Sequence, residues 1–223
     1  MRVAFFATCL ADRFFAEGCA DSIRLLRHLG VEVSVPEGQT CCGQPAQNAG
    51  YTLEARRMLS HTLEAFGDAD HVVLPSGSCT AMLREHLPAL PSFELSEFVV
   101  RVLGITELGR GLEGRRIAYH HGCHALRGLG LCEEPLTLLR NGGADLVPWA
   151  NDGECCGFGG LFSVKVPEVS AAMADAKLDA LPAADTLTSA DGGCLLQLGG
   201  RARQRGVALM VRPLASLLWE AIG

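Results

Sequence analysis

The sequence has no apolar run long enough to cross a bilayer and no long run of basic residues. A membrane-spanning helix needs about 18–20 consecutive apolar residues, so no integral membrane segment is expected. The formal net charge is −6, which disfavours nucleic acid and anionic membrane surfaces as partners. An apolar fraction of 48% with a charged fraction of 20% is typical of a globular protein.

The sequence also lacks the usual motifs for nucleotide and hydride-transferring cofactors. Gly157, Gly159 and Gly160 follow a cysteine pair, but their spacing is not G-x-G-x-x-G, and no P-loop lysine and hydroxyl follow them. These glycines are instead expected to let the backbone approach a bulky bound cofactor closely. Because no flavin or nicotinamide motif occurs, hydride transfer by this chain alone is not expected.

Cysteine, in contrast, is abundant, with ten in 223 residues. The apolar residues 1–11 have the composition of an export signal, but a buried first strand has the same composition. Residues 117–123 repeat the pattern inside the chain, so we interpret both segments as strands. A cytoplasmic, reducing location is therefore expected, where clustered cysteines indicate metal or redox chemistry more often than structural disulfides.

Eight of the cysteines recur at a nearly constant offset. An offset of 114 residues relates Cys9 to Cys123, Cys41 to Cys155 and Cys42 to Cys156, and an offset of 115 relates Cys79 to Cys194. Each adjacent pair is followed by a glycine. The chain is therefore interpreted as two copies of one unit, residues 1–104 and 116–223, joined by a glycine-rich linker at residues 105–115.

Each copy alternates strands and helices. The predicted strands cover residues 3–7, 31–35 and 71–74 in the first copy and residues 117–120, 145–147 and 186–188 in the second. The cysteines follow these strands in loops that open helices, which is where open α/β sheets bind ligands. The predicted fold class is α/β, with two pseudo-symmetric lobes, each with a mainly parallel sheet flanked by helices.

The repeated cysteines form two candidate sets of metal ligands. They are Cys9, Cys41, Cys42 and Cys79 in the first copy and Cys123, Cys155, Cys156 and Cys194 in the second. Four soft ligands suit an iron–sulfur cluster or zinc. Zinc is the weaker alternative, because no Cys-x2-Cys pair occurs and adjacent cysteines suit a single tetrahedral ion poorly. A metal-free redox dithiol at Cys155-Cys156 stays open.

Three histidines surround Cys123, and the first copy has none at the matching positions. His120, His121 and His124 are candidates to ligate metal, to lower a thiol pKa or to relay protons. In the dithiol alternative, His121 or His124 is the acid–base partner of Cys155 and Cys156. The second site is therefore predicted to be the more specialised. The two unrepeated cysteines, Cys19 and Cys132, are expected to be small core residues.

Four stretches carry a resemblance to a known family: PEGQTCCGQPAQNAGY (36–51), LPSGSCTAM (74–82), ECCGFGGLFSVK (154–165) and DGGCLLQLGGR (191–201). They resemble the Cys-Cys-Gly (CCG) cysteine-rich domain pair of heterodisulfide reductase. The same pair occurs in the iron–sulfur subunits of glycolate oxidase and anaerobic glycerol-3-phosphate dehydrogenase. The closer match is the lactate-utilization protein A family.

This resemblance implies an electron-transfer subunit that does not act alone in oxidising L-lactate to pyruvate. It implies a cytoplasmic location and two partner subunits, one of them a ferredoxin-type iron–sulfur protein. The implied cofactor is an iron–sulfur cluster of the 4Fe-4S type held by the repeated cysteines. The wider domain ends each unit in Cys-x2-Cys, whereas Met82 and Gln197 stand at the final positions here. The fifth cysteine of the heterodisulfide enzyme's cluster is therefore missing from both copies.

Overall fold

A computed structural model describes all 223 residues, Met1–Gly223. Its strands form two sheets. The first contains β1 (Arg2–Phe5), β2 (Glu32–Ser34), β3 (Val72–Leu74) and β4 (Ser92–Glu94), and the second contains β5 (Arg116–His120), β6 (Asp145–Leu146), β7 (Thr186–Ser189) and β8 (Val211–Pro213). All neighbouring strands are parallel, in the orders β2-β1-β3-β4 and β6-β5-β7-β8. The second sheet repeats the topology of the first.

Twelve helices connect the strands. The first half of the molecule, β1 to α6, contains α1 (Cys9–Phe14), α2 (Ala16–His28), α3 (Gln44–Asn48), α4 (Thr52–Phe66), α5 (Gly77–His86) and α6 (Leu95–Glu97), which continues as a π-helical segment over Phe98–Val102. The second half, β5 to α12, contains α7 (Cys123–Gly128), α8 (Glu133–Asn141), α9 (Phe162–Lys165), α10 (Pro167–Asp179), α11 (Gly192–Gln204) and α12 (Leu214–Ile222). The predicted α/β class with two pseudo-symmetric lobes is confirmed. None of these helices combines the length and apolar character needed to cross a bilayer.

Each sheet has one more strand than the sequence predicted. β4 and β8 pair with β3 and β7 at the edges of the two sheets, and each has only three residues. Three residues show too little alternation to be recognised as a strand. Pro213 ends β8 without cost to the sheet, because an edge strand tolerates a residue that has no N–H to donate.

The two halves share one hydrophobic core. The largest buried cluster contains Leu25 and Leu26 of α2 as well as Leu217 and Leu218 of α12, and all four side chains are fully buried. α12 packs against both α2 and α8, and α6 packs against α8. Beside this contact, the buried Ser216 hydroxyl donates a 2.7 Å hydrogen bond to the Asp21 carboxylate. The C-terminal helix of the second half is therefore part of the core of the first half.

The buried face of α10 differs from the face predicted by its apolar residues. The periodicity of Val169, Met173, Ala176 and Ala180 predicts that this side packs inward, whereas Val169 is 49% exposed. The buried positions are Ser170, Ala174, Lys177 and Leu178. The prediction was wrong because two polar side chains have buried partners in this half. Ser170 Oγ donates to the Gly157 carbonyl at 2.8 Å, and Lys177 donates to backbone carbonyls.

Candidate metal centre

The loops that follow the strands of both sheets line one cavity of about 190 Å³. All eight repeated cysteines line it, together with three other residues of the predicted site: His124, Gly159 and Gly160. The sequence predicts one set of four thiols in each half. In the structure both sets lie around the same cavity. Neither set is enclosed within its own half.

The cysteines of the first half come from three segments. Cys9 begins α1, Cys41 and Cys42 lie in the loop before α3, and Cys79 lies in the first turn of α5. The buried Cys42 and Cys79 have Sγ atoms 3.2 Å apart. The N–H of Gly43 donates to Cys41 Sγ at 3.4 Å. Cys9 is exposed, so this set reaches the protein surface.

The second half reproduces this arrangement closely. The Sγ atoms of the buried Cys156 and Cys194 are 3.1 Å apart, and the N–H of Gly157 donates to Cys155 Sγ at 3.4 Å. Cys123 begins α7 and lines the cavity. The close sulfur pair therefore joins the second cysteine of the CCG motif to the cysteine of the following helix in both halves.

The glycine of each CCG motif is required by its surroundings. Gly43 and Gly157 have φ angles of +89° and +83°, which is the left-handed region that favours glycine. A Cβ atom on Gly157 would lie 2.6 Å from the Ser170 carbonyl oxygen, and one on Gly43 would lie 3.1 Å from the Ala55 carbonyl oxygen. The turn thus aims an N–H at sulfur while the backbone packs against the neighbouring helix.

Hydrogen bonds among the sulfurs favour one thiolate in each set. The Cys42 thiol, followed by the Cys9 thiol, lowers the pKa of Cys41 to about 3 by donating to its sulfur. The Cys123 thiol, followed by the Cys156 thiol, likewise lowers the pKa of Cys155. The pKa values of the four donating thiols are raised for the same reason, with burial adding to the effect. A bound cation would take the place of these shared protons, because metal ligation requires thiolates.

The predicted acid–base histidines are not equivalent in the structure. His124 lines the cavity, with its Nδ1 3.7 Å from Cys123 Sγ. His121 is buried edge-on against Tyr119, with its Nε2 3.9 Å from the Asp152 carboxylate, and it does not line the cavity. Of the three predicted glycines, Gly159 and Gly160 line the cavity, and Gly157 acts behind Cys155.

A polar group that sequence reasoning missed lies beneath the second set of cysteines. The almost fully buried Lys177 donates to the Asn151 and Asp152 carbonyls, and its Nζ lies 4.4 Å from the centre of the Trp149 ring. Desolvation lowers the pKa of this lysine. A lysine among the small residues of a helix gives no sequence signal that distinguishes this role from a solvated side chain.

His120 lies in the same buried group. Its Nδ1 is 3.0 Å from the Asp152 carbonyl oxygen, and its side chain is fully buried. Burial, followed by the charge of Lys177, lowers the pKa of His120 to about 3, so the ring is neutral. The matching position of the first half is Phe6, whose ring stacks on Phe66 at 4.9 Å. The surroundings of the two sets therefore differ although their sulfur geometry is shared.

Met82 and Gln197 stand where the wider CCG pattern has its final cysteines, and neither side chain lines the cavity. Met82 is buried in the apolar cluster of the first half. Gln197 donates from Nε2 to Ser170 Oγ at 2.8 Å. The four sulfurs of each half and nearby backbone N–H groups are the ligands and hydrogen-bond donors typical of an iron–sulfur cluster. The residues present therefore fit such a cluster.

The cysteine-rich domain family, CCG, matches the chain twice, over residues 3–84 and 117–199. Lactate utilization protein A from Geobacillus sp. (strain WCH70) is 42% identical, covering 98% of this chain and 99% of that protein. The protein of the same name from Geobacillus kaustophilus (strain HTA426) is 43% identical and covers 98% of both. A solved structure, glutamate racemase from Campylobacter jejuni subsp. jejuni, has a TM-score of 0.38 at 13% identity, covering 99% of this chain and 84% of that one.

The two domain matches reproduce the duplication seen in the cysteine spacing and in the sheet topology. The curated relatives align with this chain from end to end at more than a third identity. The chain therefore belongs to the CCG cysteine-rich domain family and, within it, to the lactate utilization protein A family.

Proposed function

We propose that this chain is an iron–sulfur electron-transfer subunit of a multi-subunit system that oxidises L-lactate to pyruvate. The observation that carries the proposal is the convergence of eight free thiols, as two matching sets of four, on one cavity. The most similar curated proteins are named for lactate utilization. Thiolate-bound iron–sulfur clusters carry single electrons, so the part proposed for this chain is electron transfer.

The residues that hold the cofactor are the two repeated sets. They are Cys9, Cys41, Cys42 and Cys79, and Cys123, Cys155, Cys156 and Cys194. An iron–sulfur cluster of the 4Fe-4S type, when bound there, supplies one-electron chemistry. The N–H groups of Gly43 and Gly157 donate to sulfur, and burial of Cys42, Cys79, Cys156 and Cys194 keeps water from half of the ligands. Both features influence the reduction potential.

The exposed side of the first set supports a role in exchange with a partner. Because Cys9 is exposed, a partner's redox group can approach the first set without any opening of the fold. The partners proposed from the family are two further subunits, one of them a ferredoxin-type iron–sulfur protein. The proposed location is the cytoplasm, where a reducing environment keeps ten free cysteines reduced.

The direct test is iron and acid-labile sulfide analysis, with electron paramagnetic resonance, on protein purified without oxygen. The double variants Cys41→Ser/Cys42→Ser and Cys155→Ser/Cys156→Ser should each lose about half of the iron. Both should also abolish growth on L-lactate in a host that depends on this chain. Cys132→Ser is the matched control, because Cys132 does not line the cavity. Undiminished iron and growth in both double variants would overturn the proposal.

One observation favours a second candidate, a metal-free thiol–disulfide protein. The sulfurs of Cys156 and Cys194 are already 3.1 Å apart, and His124 lies beside Cys123. The redox pair would then be Cys156 and Cys194, and the adjacent Cys155-Cys156 pair would not form the bond. Active protein that lacks iron and sulfide would favour this candidate, and stoichiometric zinc would favour a structural metal site.

A further inference from the structure

The hydrogen bond of His120 fixes which ring nitrogen is free. The carbonyl oxygen of Asp152 can only accept, so His120 Nδ1, 3.0 Å away, carries the proton and donates it. In the neutral ring this leaves a lone pair on Nε2. A backbone carbonyl behind Nδ1 is the arrangement that typically orients a metal-ligating imidazole.

The Nε2 atom of His120 is buried and has no hydrogen-bond partner. The buried Lys177 directs its Nζ to the Asn151 and Asp152 carbonyls and donates no hydrogen bond to this atom. Buried acceptors are normally paired, and an unpaired one destabilises the fold. A polar atom left this way beneath a cysteine set therefore calls for a partner that protein atoms do not supply.

His120 lies next to the close sulfur pair of the second half. One ring nitrogen and the Sγ atoms of Cys156 and Cys194 all lie within 4.8 Å of one another. All three side chains are buried, and the two sulfurs are 3.1 Å apart. One nitrogen and two sulfur donors thus converge on a point that a single metal atom can occupy.

The first half has no such donor. Phe6 occupies the matching position at the end of β1, is buried, and stacks on Phe66. Its close sulfur pair, Cys42 and Cys79, belongs to an apolar cluster. The nitrogen donor therefore occurs in the second half only, beside a sulfur geometry that both halves share.

We infer that His120 Nε2 ligates the metal group of the second half, giving a mixed nitrogen and sulfur site with Cys156 and Cys194, while the first half binds through sulfur alone. This inference rests on the proposed function for the identity of the group as an iron–sulfur cluster. A 4Fe-4S cluster takes four protein ligands, so His120 would replace Cys123 or Cys155 among the ligands of the second half. A neutral imidazole in place of an anionic thiolate raises a cluster's reduction potential. Electrons entering at the exposed first set would therefore pass toward the second.

The test is pulsed electron paramagnetic resonance of the reduced protein, prepared without oxygen, with natural and ¹⁵N-labelled histidine. The wild type should show strong coupling to a directly bound nitrogen that changes with the label. His120→Phe, which copies the first half, should lose this coupling and part of the iron. His120→Cys should keep the iron without the nitrogen coupling and lower the reduction potential. His121→Phe, the control at a buried histidine outside the cavity, should leave both unchanged.

Two results would overturn the inference while leaving the proposed function intact. One is iron bound by both halves of the wild type without nitrogen coupling, and the other is nitrogen coupling that persists in His120→Phe.

Protein with no iron would instead remove the proposed function. In that case the inference is tested by measuring Co²⁺ binding to metal-free protein that carries Cys41→Ser/Cys42→Ser. His120→Phe should then weaken Co²⁺ binding more than about a hundredfold relative to His121→Phe, since outer-shell changes alone cost about 10–100-fold and loss of a ligand costs more. Equal binding would overturn it.

Discussion

Ser76 Oγ lies 3.1 Å from Asp191 Oδ1 across the boundary between the two halves. Ser76 is the N-cap of α5, and Asp191 is the N-cap of α11, the two helices that carry the last cysteine of each set. Asp191 also accepts a 2.8 Å hydrogen bond from the N–H of Ser78. The starts of the two equivalent helices are thus joined directly, and this contact holds Cys79 and Cys194 at one cavity.

Asp191→Ala should destabilise the protein. The substitution leaves the Ser78 N–H and the Ser76 hydroxyl without their buried acceptor, which costs about 1–3 kcal/mol. Urea unfolding of the metal-free protein measures the loss. Asp68→Ala is the control at an exposed carboxylate that forms no ion pair, and it should change stability by less than about 0.5 kcal/mol. Equal stability of the two variants would contradict the role given to Asp191.

Glu94 should make stability fall as the pH rises. Burial raises the pKa of this carboxyl to about 7 in the folded protein, although the Ser96 and Glu97 N–H groups donate to it. The folded state therefore binds a proton more tightly than the unfolded state. The stabilisation that this bound proton gives is complete below the unfolded pKa of 4.5, and it is lost as the pH rises through about 7.

The difference between wild type and Glu94→Gln isolates this effect. Urea unfolding at pH 5 and pH 8 should show the wild type losing about 2.5 kcal/mol more than the variant over that interval, at 1.36 kcal/mol for each pKa unit. The variant keeps an acceptor for the two N–H groups. Parallel pH dependences in the two proteins would show that Glu94 does not titrate in this way.

Gly157→Ala should lower the free energy of unfolding by more than the strain of a positive φ angle alone would. Its Cβ would lie 2.6 Å from the Ser170 carbonyl oxygen, so the CCG turn or α10 has to move. Gly206→Ala is the matched control, because Gly206 also has a positive φ, +70°, and open space around it. The control should lose about 1–2 kcal/mol and Gly157→Ala more than that. Comparable losses in urea unfolding, with unchanged iron content, would argue against the close approach.

Oxidation of the metal-free protein should reveal the pairing of the sulfurs. Treatment with diamide, which accepts the two electrons released on disulfide formation, should link Cys42 to Cys79 and Cys156 to Cys194, because these sulfurs are 3.2 and 3.1 Å apart. Peptide mass mapping identifies the linked cysteines. Cys132 should stay free. A predominant Cys155–Cys156 bond would support the adjacent pair predicted from the sequence and contradict the geometry.

Much of the fold follows from local patterns. The three principal strands of each half each precede a segment that carries a repeated cysteine, and the cysteine spacing reveals the duplication. The edge strands β4 and β8 were missed because three residues carry no period. The common cavity was also missed, since nothing in either copy specifies how the two sheets face each other.

The histidines show a second limit. His120 and His121 are adjacent, and neighbouring side chains at a strand end point in opposite directions, so composition cannot tell which one approaches the sulfurs. The sequence favours His121 and His124 as the acid–base residues. The structure brings His124 to the cavity and His120 beneath the close sulfur pair, while His121 packs on Tyr119.

The packing of α12 on α2 sets an order of events during synthesis. The hydrogen bond between Asp21 and Ser216 joins positions 195 residues apart, so the core of the first half stays open until the ribosome has made α12. Contacts this distant in sequence form slowly, because a long loop has to close first. The first four cysteines therefore emerge into the cell well before their scaffold is complete. Metal loading would accordingly follow translation, and the exposed thiols of the nascent chain would need protection until then.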